Sequence, residues 1–296
     1  MGGLSKTELT AISRLFTASV FREFGRRGRS PLFSRLIEQS NILDRVTNDI
    51  TVGNAFDCAF DLLKQSGRRD EYVYRSAITQ KIVLGRHSLR TATVLSEARA
   101  GLCKADVVVL NGTSTAYEIK SERDSLGRLR NQLDSYRKVF AAVNVAVSDV
   151  HLREVLSVAP ADVGVQVLSR RFTLQTEREA LNDPNRTSPL LILETLRVSE
   201  AISVLKMIGI EVPQVPNTQL RTELRRIFGN LDPALVHDQM VSTLKRTRSQ
   251  STMLDFVQSV PQSLRASALS IQMAVTDRAR VSEAVNVPLS VALAWR

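Results

Sequence analysis

Two acids and a lysine stand close together in the middle of the chain, on segments that read as neighbouring β-strands. Asp106 opens the apolar run 107–110, and Glu118 and Lys120 lie two residues apart in the segment that returns after a turn. Side chains alternate along a strand, so Glu118 and Lys120 share one face of the sheet. A charge on a buried strand is costly without a partner, so these residues indicate a functional cluster or a buried ion pair.

The turn between the two strands decides whether Asp106 lies on the same face as Glu118. A two-residue hairpin loop at Asn111-Gly112 would put Asp106 opposite Tyr117, on the other face. A three-residue loop, or one β-bulge, puts Asp106 opposite Glu118 instead. We expect the odd loop or the bulge, because two carboxylates that meet on one face make a site for a hard metal ion.

Such a site suits phosphodiester hydrolysis. Mg²⁺ prefers oxygen ligands, and a bound metal polarises the phosphate and activates water. A nearby lysine can orient that water or stabilise negative charge in the transition state. The alternative interpretation is a structural ion pair of Lys120 with Glu118 or Asp106.

The segments around this cluster predict a helix, three strands, a helix, a strand, a helix and a last strand. In chain order they are residues 71–84, 92–98, 105–110, 115–121, 125–140, 143–147, 150–158 and 163–168. A strand–helix–strand passage after a meander implies an α/β (α+β) fold with a central mixed sheet flanked by helices. Helices are predicted before this core, and an all-helical region after it, which gives domains at 1–68, 69–172 and 173–296.

The order Asp106, then Glu118-Ile119-Lys120 after a hairpin, resembles the signature of the PD-(D/E)XK phosphodiesterase superfamily, whose fold is called restriction-endonuclease-like. In the next helix, Gln132 and Tyr136 resemble the Gln-x-x-x-Tyr motif of the RecB-like members. More locally, the sequence is similar to a family of uncharacterised bacterial proteins within that superfamily. One departure is Ala105, which stands where the motif has proline, at a position that carries no chemistry.

This resemblance, over roughly residues 70–170, implies a nuclease that depends on Mg²⁺ or Mn²⁺. Asp106 and Glu118 would bind the metal, and Lys120 would assist the attacking water. Gln132 and Tyr136 would support the site or contact the substrate.

Many members of the superfamily supply one more acid from the first helix or strand. Glu97, nine residues before Asp106, is the candidate for this further metal ligand, and Glu71 is the alternative. Glu97 also fits a surface acid at the end of a strand.

The chain is basic, with 40 Lys and Arg against 30 Asp and Glu, a formal net charge of +10 and a pI near 10.1. This charge favours a nucleic acid as partner, DNA in preference to RNA, although an arginine-rich proteome would give the same balance. Arg99, Lys104, Arg123 and Arg128 are the candidate phosphate contacts near the cluster.

A second basic group lies near the N-terminus. Arg22, Arg26, Arg27 and Arg29 follow an apolar helical pattern at 8–24 and predict either a phosphate-contacting loop or a solvated helix end.

Several classes of protein are excluded by what the sequence lacks. It has no apolar run long enough for a membrane span, and its two cysteines and three scattered histidines provide no disulfide framework or zinc cluster. It also lacks a Gly-x-Gly-x-x-Gly or Walker loop. We therefore expect a cytoplasmic protein, and the sequence leaves a homodimer open. The competing hypothesis to a nuclease is a non-catalytic module that binds nucleic acid or protein on the same scaffold.

Overall fold

The computed structural model describes residues 4–46 and 49–295. Six strands form one sheet: β1 (Thr93–Ala100), β2 (Cys103–Leu110), β3 (Ser114–Lys120), β4 (Ala142–Val147), β5 (Gly164–Leu168) and β6 (Leu174–Arg178). The helices before and within the sheet are α1 (Lys6–Leu15), α2 (Ala18–Arg27), α3 (Pro31–Gln39), α4 (Val52–Leu63), α5 (Glu71–Ile78), α6 (Leu129–Tyr136) and α7 (Leu152–Val158). Those after it are α8 (Pro189–Thr195), α9 (Val198–Ile208), α10 (Asn217–Phe228), α11 (Pro233–Thr247), α12 (Leu254–Ser259), α13 (Arg265–Ser270), α14 (Val275–Ala284) and α15 (Leu289–Ala292).

The chain folds as two compact units, each built from separate stretches of sequence. The first combines Met1–Ile82, Arg170–Phe172 and Thr252–Arg296, and the second combines Val83–Ser169 and Thr173–Ser251. The predicted division at 68/69 and 172/173 follows the order of the chain, whereas each unit joins segments that are distant in sequence.

The first unit is helical and has an aromatic core. The rings of Phe33 and Phe56 lie 5.0 Å apart between centroids, and Phe24 lies 6.1 Å from Phe56. Ring pairs at such separations stabilise a core beyond the area they bury. The sequence predicted one helix over 8–24 here. The structure has two, because Thr17 takes an extended conformation and its hydroxyl donates to the Arg14 carbonyl, while the apolar spacing continues unbroken across the gap.

The second unit contains the whole sheet, whose strands lie side by side in chain order. The first three strands form an antiparallel meander, β3, β4 and β5 are parallel, and β6 returns antiparallel at the edge. Helices α6 and α7 make the two crossovers that parallel pairing requires. The predicted fold class, a mixed sheet flanked by helices with further helices on both sides in sequence, is confirmed.

Helix α6 packs on the face of the sheet that carries the even-numbered residues of β2 and β3. Leu129, Leu133 and Tyr136 are fully buried in one core with Val108 and Leu110. The predicted helix over 125–140 is shorter at both ends, since α6 is Leu129–Tyr136. Before it, Ser121 and Asp124 close a turn after β3. The Ser121 N–H and hydroxyl both donate to the Asp124 carboxylate, at 2.8 and 2.7 Å.

The structure adds features that periodicity does not reveal. β6 lies within the stretch predicted to be all-helical, and its middle residues are exposed polar side chains, so no apolar alternation marks it as a strand. The helices predicted over 190–208 and 263–281 are each divided, at Leu196-Arg197 and at 271–274. Within the described residues, no helix is long and apolar enough to cross a membrane.

Candidate metal and nucleic-acid site

The turn between β2 and β3 has three residues, as expected from the sequence. Leu110 pairs with Ser114, and Gly112 in the turn has a φ of +73°, which favours glycine. This register places Asp106 opposite Glu118, on the face that α6 covers. The predicted odd loop is confirmed.

The two strands separate at the level of Asp106. Their last paired residues are Val107 and Tyr117. Beyond them, the backbone N–H of Ile119 donates to Asp106 Oδ2 at 2.7 Å. The Asp106 carboxylate thus accepts a hydrogen bond from a backbone N–H that would otherwise pair with the neighbouring strand. The half-buried side chain is held where β2 and β3 separate.

On the other side of Asp106, strand β1 contributes Glu97. The register of β1 and β2 pairs Ser96 with Val107 and Ala98 with Ala105, so Glu97 stands opposite Asp106. Glu97 has a φ of +53°, a left-handed conformation that is strained for a side chain with a Cβ. One carboxylate oxygen of Glu97 lies within 4.8 Å of one of Asp106.

Glu118 lies at the same level on β3 and is only 2% exposed. Its Oε1 is 2.8 Å from Lys120 Nζ, and its Oε2 accepts a hydrogen bond from the Tyr136 hydroxyl at 2.7 Å. Both oxygens are therefore held by neighbours on β3 and α6. The strand register places Asp106 opposite Glu118, and Glu118 forms an ion pair with Lys120.

Gln132 and Tyr136 lie one turn apart on α6 and reach the two charged residues of β3. Lys120 Nζ donates to Gln132 Oε1 at 3.1 Å. The Tyr136 hydroxyl is 2.6 Å from the Lys104 carbonyl as well as 2.7 Å from Glu118. Its single proton can satisfy only one of these acceptors fully at a time. Burial, together with the charge and hydrogen bond of Glu118, raises the pKa of Tyr136, so the hydroxyl stays a donor.

The four basic residues predicted to contact phosphate are all exposed. Arg99 and Lys104 are cross-strand partners on β1 and β2, two positions from the acids and on the same face. Arg123 and Arg128 lie on the connection from β3 to α6. The strand register thus brings the first pair to the sheet face of the acids, whereas the second pair lies outside the strands.

Glu71, the alternative acid, is in the first unit. It lies in the first turn of α5, where it forms an ion pair with Arg75.

One buried polar network was not predicted from the sequence. The buried Ser114 hydroxyl lies 2.8 Å from His237 Nε2 on α11, and His237 Nδ1 lies 2.9 Å from Asp238. Ser114 also accepts the Ala141 N–H at 3.0 Å. Because Ser114 and His237 are nearly unexposed, this network ties α11 to the sheet rather than meeting a substrate. Its residues are 123 apart in sequence, and no local pattern joins them.

Comparison with known proteins places the chain in a family. Residues 64–272 match the family described as Bacteriophage P4 protein cII. The chain belongs to that family. Every residue of the candidate site lies inside the matched range, whereas α1 to α4 lie before it.

A curated relative gives a shorter match. Protein cII of Enterobacteria phage P4 is 39% identical over 62 residues, which are 21% of this chain and 24% of that protein. The chain thus matches about a quarter of the relative's length. No solved structure matches the chain. The names of the family and of the relative state no activity.

Proposed function

We propose that this protein is a metal-dependent nuclease that hydrolyses phosphodiester bonds in nucleic acid, DNA in preference to RNA. One observation carries the proposal: Glu97, Asp106 and Glu118 occupy facing positions on three adjacent strands, with Lys120 next to them. Three acids at one level of a sheet, with an amine beside them, are the groups that metal-assisted phosphodiester hydrolysis uses.

The acidic residues fit a divalent cation. Glu97 and Asp106 offer carboxylate oxygens within 4.8 Å of one another, and a cation between them would offset their mutual repulsion. The strained backbone of Glu97 is consistent with a position kept for function rather than for stability. Bound Mg²⁺ or Mn²⁺ would supply Lewis-acid chemistry at the phosphate and an activated water.

Lys120 is the cationic group of the site. It is held from two sides, by Glu118 at 2.8 Å and by Gln132 at 3.1 Å, and these contacts fix its ammonium on the face of the acids. There it can stabilise negative charge on a phosphate under attack. Gln132 and Tyr136 are positioning residues, because they act through Lys120 and Glu118.

Substrate phosphates would be held by the basic residues around the acids. Arg99 and Lys104 form a cross-strand pair two positions from Glu97 and Asp106, about 7 Å along the strands. Arg123 and Arg128 extend the positive surface toward α6. Contacts of this kind position a nucleic-acid backbone without reading its sequence.

The resemblance to the PD-(D/E)XK superfamily supports the same proposal. Asp106, Glu118 and Lys120 stand where its motif has them, and Gln132 and Tyr136 reach Lys120 and Glu118 from the following helix. The order of strands and helices around them agrees with the core of that superfamily.

A second candidate function is a non-catalytic nucleic-acid-binding module. The observation that favours it is the environment of Glu118. This residue is 2% exposed, and its two carboxylate oxygens already contact Lys120 and Tyr136. In this hypothesis the ion pair is structural, and the basic residues alone carry the interaction.

One assay separates the two functions. The purified protein is incubated with supercoiled, linear and single-stranded DNA and with RNA, in Mg²⁺, in Mn²⁺ and in chelator. The variants are Lys120→Ala and the matched control Lys138→Ala, which removes an exposed lysine on the segment after α6. The nuclease proposal expects cleavage that needs the metal, is lost in Lys120→Ala and is kept in Lys138→Ala.

Binding without cleavage in every metal, with equal affinity for the wild type and Lys120→Ala, contradicts the nuclease and supports the binding module. Cleavage that persists in Lys120→Ala contradicts the assignment of Lys120.

A further inference from the structure

The N-terminal basic group forms one face of a helix. Arg22, Arg26 and Arg27 lie on α2, which ends at Gly28 with a left-handed cap, so the group is mainly helical rather than a loop. Together with Ser19 and Glu23 they line a groove of about 330 Å³. These five positions follow the spacing of a single helix face, which we call the α2 cationic face.

The arginines of this face are exposed. Within the described residues, neither Arg22, Arg26 nor Arg27 forms an ion pair or a side-chain hydrogen bond, and the next arginine, Arg29, is also exposed without one. The acidic residue in the groove, Glu23, forms its hydrogen bonds with residues outside this face. It accepts the Ser30 hydroxyl at 2.6 Å and the N–H of Leu32 at 3.2 Å at the start of α3.

The opposite side of α2 supplies no apolar surface for a partner. Val20, Phe21 and Phe24 are at most 2% exposed, because they pack inside the first unit. A helix that inserts into a membrane surface needs an exposed apolar face, and a protein interface needs a desolvated apolar centre. The α2 cationic face has neither, and it offers guanidinium groups, which suit phosphate oxygens.

We infer that the α2 cationic face is a second contact surface for the phosphate backbone of duplex DNA. From Arg22 to Arg27 the helix advances about 7.5 Å, which corresponds to the rise of about two phosphates of one DNA strand along the duplex axis. The partner is the one assumed in the proposed function, but the inference does not need hydrolysis. The surface lies before the matched family range of residues 64–272.

The test is the salt dependence of binding. Anisotropy of a short labelled duplex is measured with the full-length protein in chelator, over a series of KCl concentrations. The test variant combines Arg22→Gln, Arg26→Gln and Arg27→Gln. The control combines Arg153→Gln, Arg171→Gln and Arg246→Gln, which remove the same charge. These three arginines are exposed and form no ion pair with any other residue that the structure describes.

We expect the slope of log K against log salt to fall in magnitude by about 2 to 3 in the test variant, because three phosphate contacts are lost. The control should change the slope by clearly less. Equal slopes in the two triple variants overturn the inference. The inference is also overturned if the test variant keeps the wild-type slope but no longer binds vesicles that contain phosphatidylserine. That result would assign the face to a membrane.

A structural role is also distinguishable. Arg26 and Arg27 are in the last turn of α2, where their positive charges interact favourably with the helix dipole. Arg22 lies outside this last turn. If the triple variant does not fold, Arg22→Gln alone should lower the slope by about one. An unchanged slope in that single variant overturns the inference. Since these measurements use no metal, their outcome is independent of whether the protein cleaves DNA.

Discussion

Glu97 and Asp106 face each other across β1 and β2 with carboxylate oxygens within 4.8 Å. If this pair binds a divalent cation, Mn²⁺ should raise the melting temperature of the wild type. The free energy of unfolding increases by about 2.7 kcal/mol when the ligand is at 100 times its Kd. Asp106→Asn should lose most of this increase, because one anionic ligand is gone.

Thermal unfolding with Mn²⁺ and with chelator measures this effect. Glu154→Gln is the control, since Glu154 is an exposed acid on α7. The same metal-induced increase in Asp106→Asn and in the wild type would falsify the assignment of Asp106 as a ligand.

The Tyr136 hydroxyl is the donor near both Glu118 and the Lys104 carbonyl. Tyr136→Phe leaves these acceptors without it, so we expect the free energy of unfolding to fall by about 1–3 kcal/mol. Urea denaturation is the measurement, with Tyr117→Phe as the control on the opposite face. If both variants lose the same stability, the hydrogen bonds of Tyr136 are not what stabilises the site.

Glu200 makes the stability of the second unit depend on acid pH. Burial alone would raise its pKa, but the Arg248 side chain, the Arg197 N–H and the Thr247 hydroxyl outweigh burial and lower the pKa to about 2. A lowered carboxyl pKa contributes stability that is complete above about 4.5 and is lost as the pH falls toward 2.

Glu200→Gln should therefore remove on the order of 3 kcal/mol near neutral pH and flatten the stability profile between pH 4.5 and 2. Chemical denaturation at a series of pH values measures both effects. Glu211→Gln, at an exposed position, should keep the wild-type profile. A profile for Glu200→Gln that keeps the wild-type slope contradicts the prediction.

Gly164 is required where β5 passes beside β4. A Cβ at this position would lie 2.1 Å from Asn144 Oδ1 and 2.8 Å from the Ala180 N. Gly164→Ala should cost about 1–3 kcal/mol of stability through overpacking. At Gly127 the nearest neighbour of a Cβ is Ser125 Oγ at 3.7 Å, so Gly127→Ala is the matched control in the same denaturation series. Equal stability of the two variants would show that the neighbouring strands shift to accommodate a Cβ at Gly164.

The strands and their pairing were largely readable from the sequence. The β-branched runs of β2 and β4 mark buried strands, and the need to bring Asp106 to the face of Glu118 predicted the odd loop that the structure has. The break at Thr17 and the strand β6 were not readable. Apolar spacing continues across Thr17, and β6 is an edge strand without an apolar face, so periodicity carries no signal for either.

The sequence by itself determined which residues carry charge on buried strands and which faces they share, because alternation along a strand is a local property. Only the tertiary structure decided that Glu97 stands opposite Asp106, that Tyr136 closes on Glu118, and that His237 bonds Ser114. These contacts join segments distant in the chain, and their geometry follows from strand register and helix packing, which no local pattern specifies.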